Sequence, residues 1–131
     1  MEYTANEILG INNVLGFLST KEMPRAASYS IITDIAKIKT ILSAIDKVRA
    51  DIVAKYTTKD DSGKAMISEE NQPKANSEFL MFINAKKETV DFDTKLKKED
   101  LDSIEKIKAI DLEIIVNIFM EKEPVEEVKE K

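Results

Sequence analysis

The sequence predicts a mainly α fold: a helical hairpin with one long amphipathic helix, a short β element and a C-terminal helix. Three observations lead there. Glycine and proline occur only three times each in 131 residues, too few for a loop-rich architecture. One apolar seam at helical spacing runs for about thirty residues. Residues suited to capping stand before the apolar stretches. With 43% hydrophobic and 34% charged residues, the chain can build a core and has no 18-residue apolar run. Its length predicts a single mostly helical domain over residues 1–121, followed by a polar tail over 122–131.

Thr4 followed three residues later by Glu7 has the form of a capping box, in which each side chain satisfies the other residue's backbone N–H. A first helix therefore starts there, with Ile8, Ile11, Leu15 and Leu18 as its apolar stripe and Val14 and Phe17 widening it. Gly10 and Gly16 each weaken this helix by roughly 1 kcal/mol, and close approach of a neighbouring helix is the expected reason for them. Pro24 breaks the chain and suits the first turn of the next helix.

That second helix carries the strongest signal. Ile31, Ile35, Ile38, Leu42, Ile45, Ile52 and Tyr56 follow one another at steps of four and three, except that Arg49 takes the slot between Ile45 and Ile52. The pattern predicts a helix from about Arg25 to Tyr56, on the order of 45 Å long. So long a seam exceeds what the remaining chain is expected to cover, which points to partner helices from another copy. Arg49 is the one residue out of place, expected to snorkel or to pair with a carboxylate, with an anion contact as the functional alternative.

Asp60-Asp61-Ser62-Gly63-Lys64 reads as a polar turn with Gly63 at positive φ. It lacks the ligand spacing of a calcium loop and the upstream glycine of a phosphate loop. Met66 and Ile67 suit a short extended segment. Ser68 or Asn71 then caps a third helix with Pro73 in its first turn and Phe79, Leu80, Phe82 and Ile83 on its apolar side. From Val90 to Leu96 apolar and polar residues alternate, which predicts a half-buried strand paired with the Met66–Ile67 segment, with the 104–110 region or with another copy. Leu101, Ile104, Ile107 and Ile110 have helix-like spacing, and Asp111 is expected to cap a last helix over about 111–121 that buries Leu112, Ile115, Ile118 and Phe119. Beyond Glu121 the tail is polar, interrupted by Pro124, and is expected to be mobile.

The chain has no His, Cys or Trp. A cysteine nucleophile, a histidine general base, a Ser-His-Asp triad, thiolate or imidazole zinc ligands and disulfides are thereby excluded. Asp91 and Asp93 share one face of the expected strand about 7 Å apart. A magnesium or acid–base role for them is set against the plainer reading of an exposed acidic face. Ser28, Ser30 and Lys37 lie on one helix without a glycine-rich oxyanion turn. No catalytic, cofactor or metal site is therefore expected, and the chain is read as not an enzyme. Its net charge of −5 argues against a phosphate-backbone binder, and the basic pairs and runs at Lys86–Lys87 and Lys95–Lys98 are flanked or interrupted by acids. Nucleic acid and membrane are not expected partners. Met1-Glu2-Tyr3-Thr4 forms neither a basic patch nor an apolar run, and cytoplasmic localisation is expected.

The order of short motifs brings in a resemblance. Ile11-Asn12-Asn13 is followed by Met23, Pro24, Arg25 and Tyr29, then by Val53-Ala54-Lys55-Tyr56, Gly63-Lys64, Glu78, Val90-Asp91-Phe92 and Met120-Glu121. Over about residues 5–121 this resembles a loosely defined group of small helical proteins of unknown function, encoded by tailed bacteriophages of Gram-positive and gut bacteria. The group has no catalytic residues to carry over. The resemblance implies a phage gene product, in the virion, in its assembly or in the host cytoplasm.

Together these features predict a non-enzymatic protein that works through protein–protein contacts, with itself and with a virion or host protein. The interaction residues expected are Ile31, Ile35, Ile38, Leu42 and Ile45, in a homo-oligomer. The alternative is sequestration of a host nucleotide immune signal by Arg25, Tyr29 and Arg49, because guanidinium groups grip phosphate and a tyrosine ring can stack on a base.

Overall fold

The computed structural model describes residues 1–121. In chain order the elements are β1 (Glu2–Thr4), α1 (Ala5–Leu18), α2 (Arg25–Tyr56), β2 (Thr57–Lys59), β3 (Ala65–Ile67), α3 (Gln72–Ala85), β4 (Lys87–Thr89), α4 (Lys98–Asp102) and α5 (Ala109–Ile114). A π-helical turn, Ile115–Phe119, continues α5. The fold is mainly α, as the composition and periodicity require. The sequence-level tail over 122–131 lies outside the described residues.

The chain divides into two compact units, each built from two stretches. The first holds Met1–Leu9 and Ile38–Val90; the second holds Gly10–Lys37 and the described residues from Asp91 onward. Both α1 and α2 contribute residues to each unit.

In the first unit, the Thr4–Glu7 box forms as its spacing demands. The Thr4 N–H donates to Glu7 Oε1 at 2.8 Å and the Glu7 N–H to Thr4 Oγ1 at 3.1 Å. β1, immediately before it, pairs antiparallel with β4 in the register Glu2–Thr89, Tyr3–Glu88 and Thr4–Lys87. Ala5, Ile45 and Ile83 are buried together, with Leu9, Ile41, Phe79 and Phe82 packed on them. Asn71 stands at the N-cap of α3 and Pro73 in its first turn, but the Asn71 side chain makes no capping bond; the Ser68 hydroxyl accepts the Asn71 N–H at 3.2 Å.

In the second unit a buried carboxylate organises the chain after β4. Asp34, on α2 and wholly buried, accepts the Asp93 N–H at 2.8 Å, the Thr94 N–H at 2.8 Å and the Thr94 hydroxyl at 2.6 Å. Lys37, one turn later, donates to the Asp91 carbonyl at 2.7 Å and lies 3.0 Å from the Asp93 carboxylate. Phe92 meets Phe119 edge to face, with centroids 5.4 Å apart.

These contacts correct the expected Val90–Leu96 strand. The strand lies just upstream, at Lys87–Thr89, and its partner is the chain's first strand. Residues 90–96 do alternate in burial, with Val90, Thr94 and Leu96 inside and Asp91, Asp93 and Lys95 outside. An extended chain alternates whether or not a neighbour ladders with it, and Asp34 supplies the acceptors that a partner strand would have supplied. Within 90–96, among the described residues, Leu96 alone forms a bridge, with Met120.

The last helix differs as well. Asp111 lies inside α5, which starts after Lys108, and its charge sits in the first turn, where it complements the helix dipole. Helix ends at Phe119 because the Leu96 N–H takes the Phe119 carbonyl and the Glu121 N–H takes the Leu96 carbonyl. Ile115 and Phe119 are buried and Ile118 half-buried, but Leu112 is exposed. Of the 101–110 pattern, Leu101 belongs to α4 and Ile110 to α5, and Ile104 and Ile107 lie in the irregular connection.

Candidate functional site

The seam of α2 is covered by the chain itself. Ile31, Ile38, Ile45 and Ile52 are buried at 2%, 0%, 2% and 7% exposure, and Ile35 and Leu42 are half-buried. In the first unit, Ile45 packs with Ala5 and Ile83, with Leu9, Ile41, Phe79 and Phe82 around them. Of the five residues expected to associate, Ile31, Ile38 and Ile45 are core positions within the chain, and Ile35 and Leu42 keep partial exposure. What α2 leaves exposed lies on other faces, at Tyr29, Ile32 and Val53.

The nucleotide-site residues divide between the units. Arg25 and Tyr29 stand exposed on the first turns of α2 in the second unit, and Arg49 belongs to the first. Asp91 and Asp93 do lie on the exposed side, where Lys37 holds the Asp91 carbonyl and the Asp93 carboxylate. Among the described residues no group of three or more acidic side chains is placed to hold a metal ion, and no helix is long and apolar enough to cross a membrane.

The first unit carries a groove of about 600 Å³. α2 contributes Arg49, Ile52 and Val53; β3 contributes Met66 and Ile67; α3 contributes Gln72, Ala75, Asn76 and Phe79. Local sequence explains each wall. α2 passes directly into β2, and β2 folds back on β3 in the register Thr57–Ile67, Thr58–Met66 and Lys59–Ala65. The turn between them is tied by Asp60, whose carboxylate accepts from the Ser62 N–H, the Ser62 hydroxyl and the Lys64 N–H at 2.9, 2.6 and 2.9 Å. Those donors, the Ser62 hydroxyl foremost, hold the Asp60 carboxyl below the usual carboxylate range. Gly63 takes φ +84°, the left-handed conformation that its lack of Cβ permits. The hairpin thereby sets Met66 and Ile67 beside α2 and α3.

α2 and α3, which supply two of the walls, are joined by a clamp outside the groove lining. Glu78 accepts from Lys55 Nζ at 2.9 Å and from the Tyr56 hydroxyl at 2.8 Å. The two hydrogen bonds lower the Glu78 carboxyl below its ordinary range, with Lys55 the larger cause, and Glu78 in turn raises both Lys55 and Tyr56. On the wall, the Arg49 guanidinium lies 4.6 Å from the centroid of the Phe79 ring, a cation–π arrangement. Its nearest acid, Asp46, is 3.8 Å away, and both side chains are more than half exposed, so that pair is weak.

Arg49 stands out in the sequence as the charge on an apolar seam, whereas Phe79 there has the pattern of a core residue and Val53, Gln72 and Asn76 carry no distinguishing signal. The signal that was available is the pairing of Arg49 with a following hairpin of Met66 and Ile67, which only the turn after Tyr56 brings to the same place. Comparison with protein families, with curated proteins and with solved structures finds no match to this chain.

Proposed function

We propose that the protein is a non-enzymatic interaction module that works by taking a segment of another protein chain into the groove of the first unit. The observation that carries this reading is the groove itself: a concave, mostly apolar surface with the exposed Val53 and Met66 on its walls and a few polar groups along it. The exposed Leu80 and Met81 on α3 add apolar surface to the same unit. In the setting that the phage resemblance implies, the partner is a virion, assembly or host protein, and self-association uses surface other than the buried α2 seam.

The test is affinity purification of the tagged full chain from its host, run in parallel with Val53→Glu and Met66→Glu variants. Both positions are exposed, so the variants fold. A partner recovered by the wild type, lost by both variants and rebinding the wild type when purified supports the reading. Equal recovery by all three chains places the contact elsewhere and overturns it.

A further inference from the structure

We infer that the groove selects a segment combining apolar anchors with a carboxylate, which Arg49 receives while held over the Phe79 ring; this rests on the interaction reading above. The chain carries 25 acidic residues against 20 basic ones, yet the groove wall holds no acid and a single charge, Arg49. The adjoining smaller cavity, which shares Ile52 with the groove, differs: its charged residues are Asp51, Glu78 and Lys55, two acids and one base. A carboxylate arriving in the groove therefore meets one cation and no acid of the wall. Asp46 is the nearest acid to the guanidinium and holds it at 3.8 Å, beyond hydrogen-bonding range and among exposed atoms.

Phe79 makes Arg49 a better receptor than a free surface arginine. With its central carbon 4.6 Å from the ring centroid, the guanidinium is held at the wall by a cation–π contact, and its N–H groups remain able to donate to the two oxygens of a carboxylate. The apolar side chains of Val53, Met66 and Ile67 supply the anchor surface. The primary amides of Gln72 and Asn76, one turn apart on α3, can bond the main chain of a bound segment, which a fatty acid would not offer. The chemistry is thus that of a short acidic, apolar stretch of polypeptide.

The experiment is selection of random twelve-residue peptides by display on the immobilised full chain, repeated on Arg49→Glu, Val53→Glu and Met66→Glu. Circular dichroism and melting temperature confirm that each variant is folded. Expected are binders with apolar residues and an Asp or Glu at fixed spacing, at least tenfold weaker on Arg49→Gln. The Arg49→Glu selection is expected to exchange that acid for Lys or Arg, and Val53→Glu and Met66→Glu to abolish binding. Binders that depend on Val53 and Met66 but show no acidic preference, or bind Arg49→Gln equally well, overturn the inference and leave the groove reading in place. Absence of binders, or binders indifferent to Val53 and Met66, overturns the groove reading beneath it. Decanoate is titrated alongside, and its saturation of the groove where peptides fail overturns the assignment to polypeptide.

Discussion

Replacing Asp34 by alanine should destabilise the protein by about 3–5 kcal/mol, because the carboxylate takes the place of a partner strand for the chain at 93–94. Three donors reach it, at 2.8, 2.8 and 2.6 Å, and Thr94 is wholly buried. Hydrogen bonds to a charged group contribute about 1.5–3 kcal/mol each, and a buried donor left without an acceptor costs about 1–3 kcal/mol. The three bonds share one acceptor group, so their loss is less than additive, and the exposed Asp93 recovers part of its share from water. Asp34→Asn keeps one oxygen but turns an NH2 toward a donor, with an expected cost of about 2 kcal/mol. Thr94→Val removes only the hydroxyl bond and should cost about 1–2 kcal/mol. Urea unfolding followed by circular dichroism, with hydrogen exchange of the Thr94 amide, reads all three. A cost under about 1 kcal/mol for Asp34→Ala with unchanged Thr94 protection would refute the reasoning.

Other outcomes follow from the same contacts. Ile38→Asp should unfold the protein rather than merely change its oligomeric state, since Ile38 is fully buried; a folded variant of altered mass by light scattering would restore the seam as an interface. Gly16→Ala should raise stability by about 0.5–1 kcal/mol, because the position is helical and a Cβ there meets nothing within 4 Å; a lower melting temperature would contradict this. The α2–α3 clamp should be pH dependent in both directions. Glu78 is lowered in the folded state, so its contribution is present above its unfolded value, near 4.3, and is lost as pH falls through the folded value. Tyr56 and Lys55 are raised, so their contributions are present below about 10 and are lost as pH rises through their folded values. Glu78→Gln should remove much of both dependences in melting curves; an unchanged profile would show that the clamp contributes nothing.

Much of the fold was legible because it is written locally. The capping box at Thr4 and Glu7, the limits of α2, the Asn71–Pro73 helix start and the positive φ of Gly63 depend on neighbours in sequence. What the residues did not disclose depends on distant partners. β4 pairs with β1, more than eighty residues away, and Asp34 tethers Thr94 across sixty. Glycine was half legible. A Cβ on Gly10 would touch Ile114 at 3.4 Å, a close approach to α5, whereas Gly16 faces open space. Arg49 was visible as a misfit, but its meaning required Phe79 beneath it and the hairpin beside it.

The most direct test of the groove's role is a two-dimensional NMR titration of the isotope-labelled full chain with a peptide selected on it. The account predicts shifts concentrated at Val53, Met66, Gln72 and Asn76, with the Arg49 side-chain signal moving only when the peptide carries its acid. Shifts centred instead on Tyr29 and Ile32, or no saturable shifts at all, would contradict it.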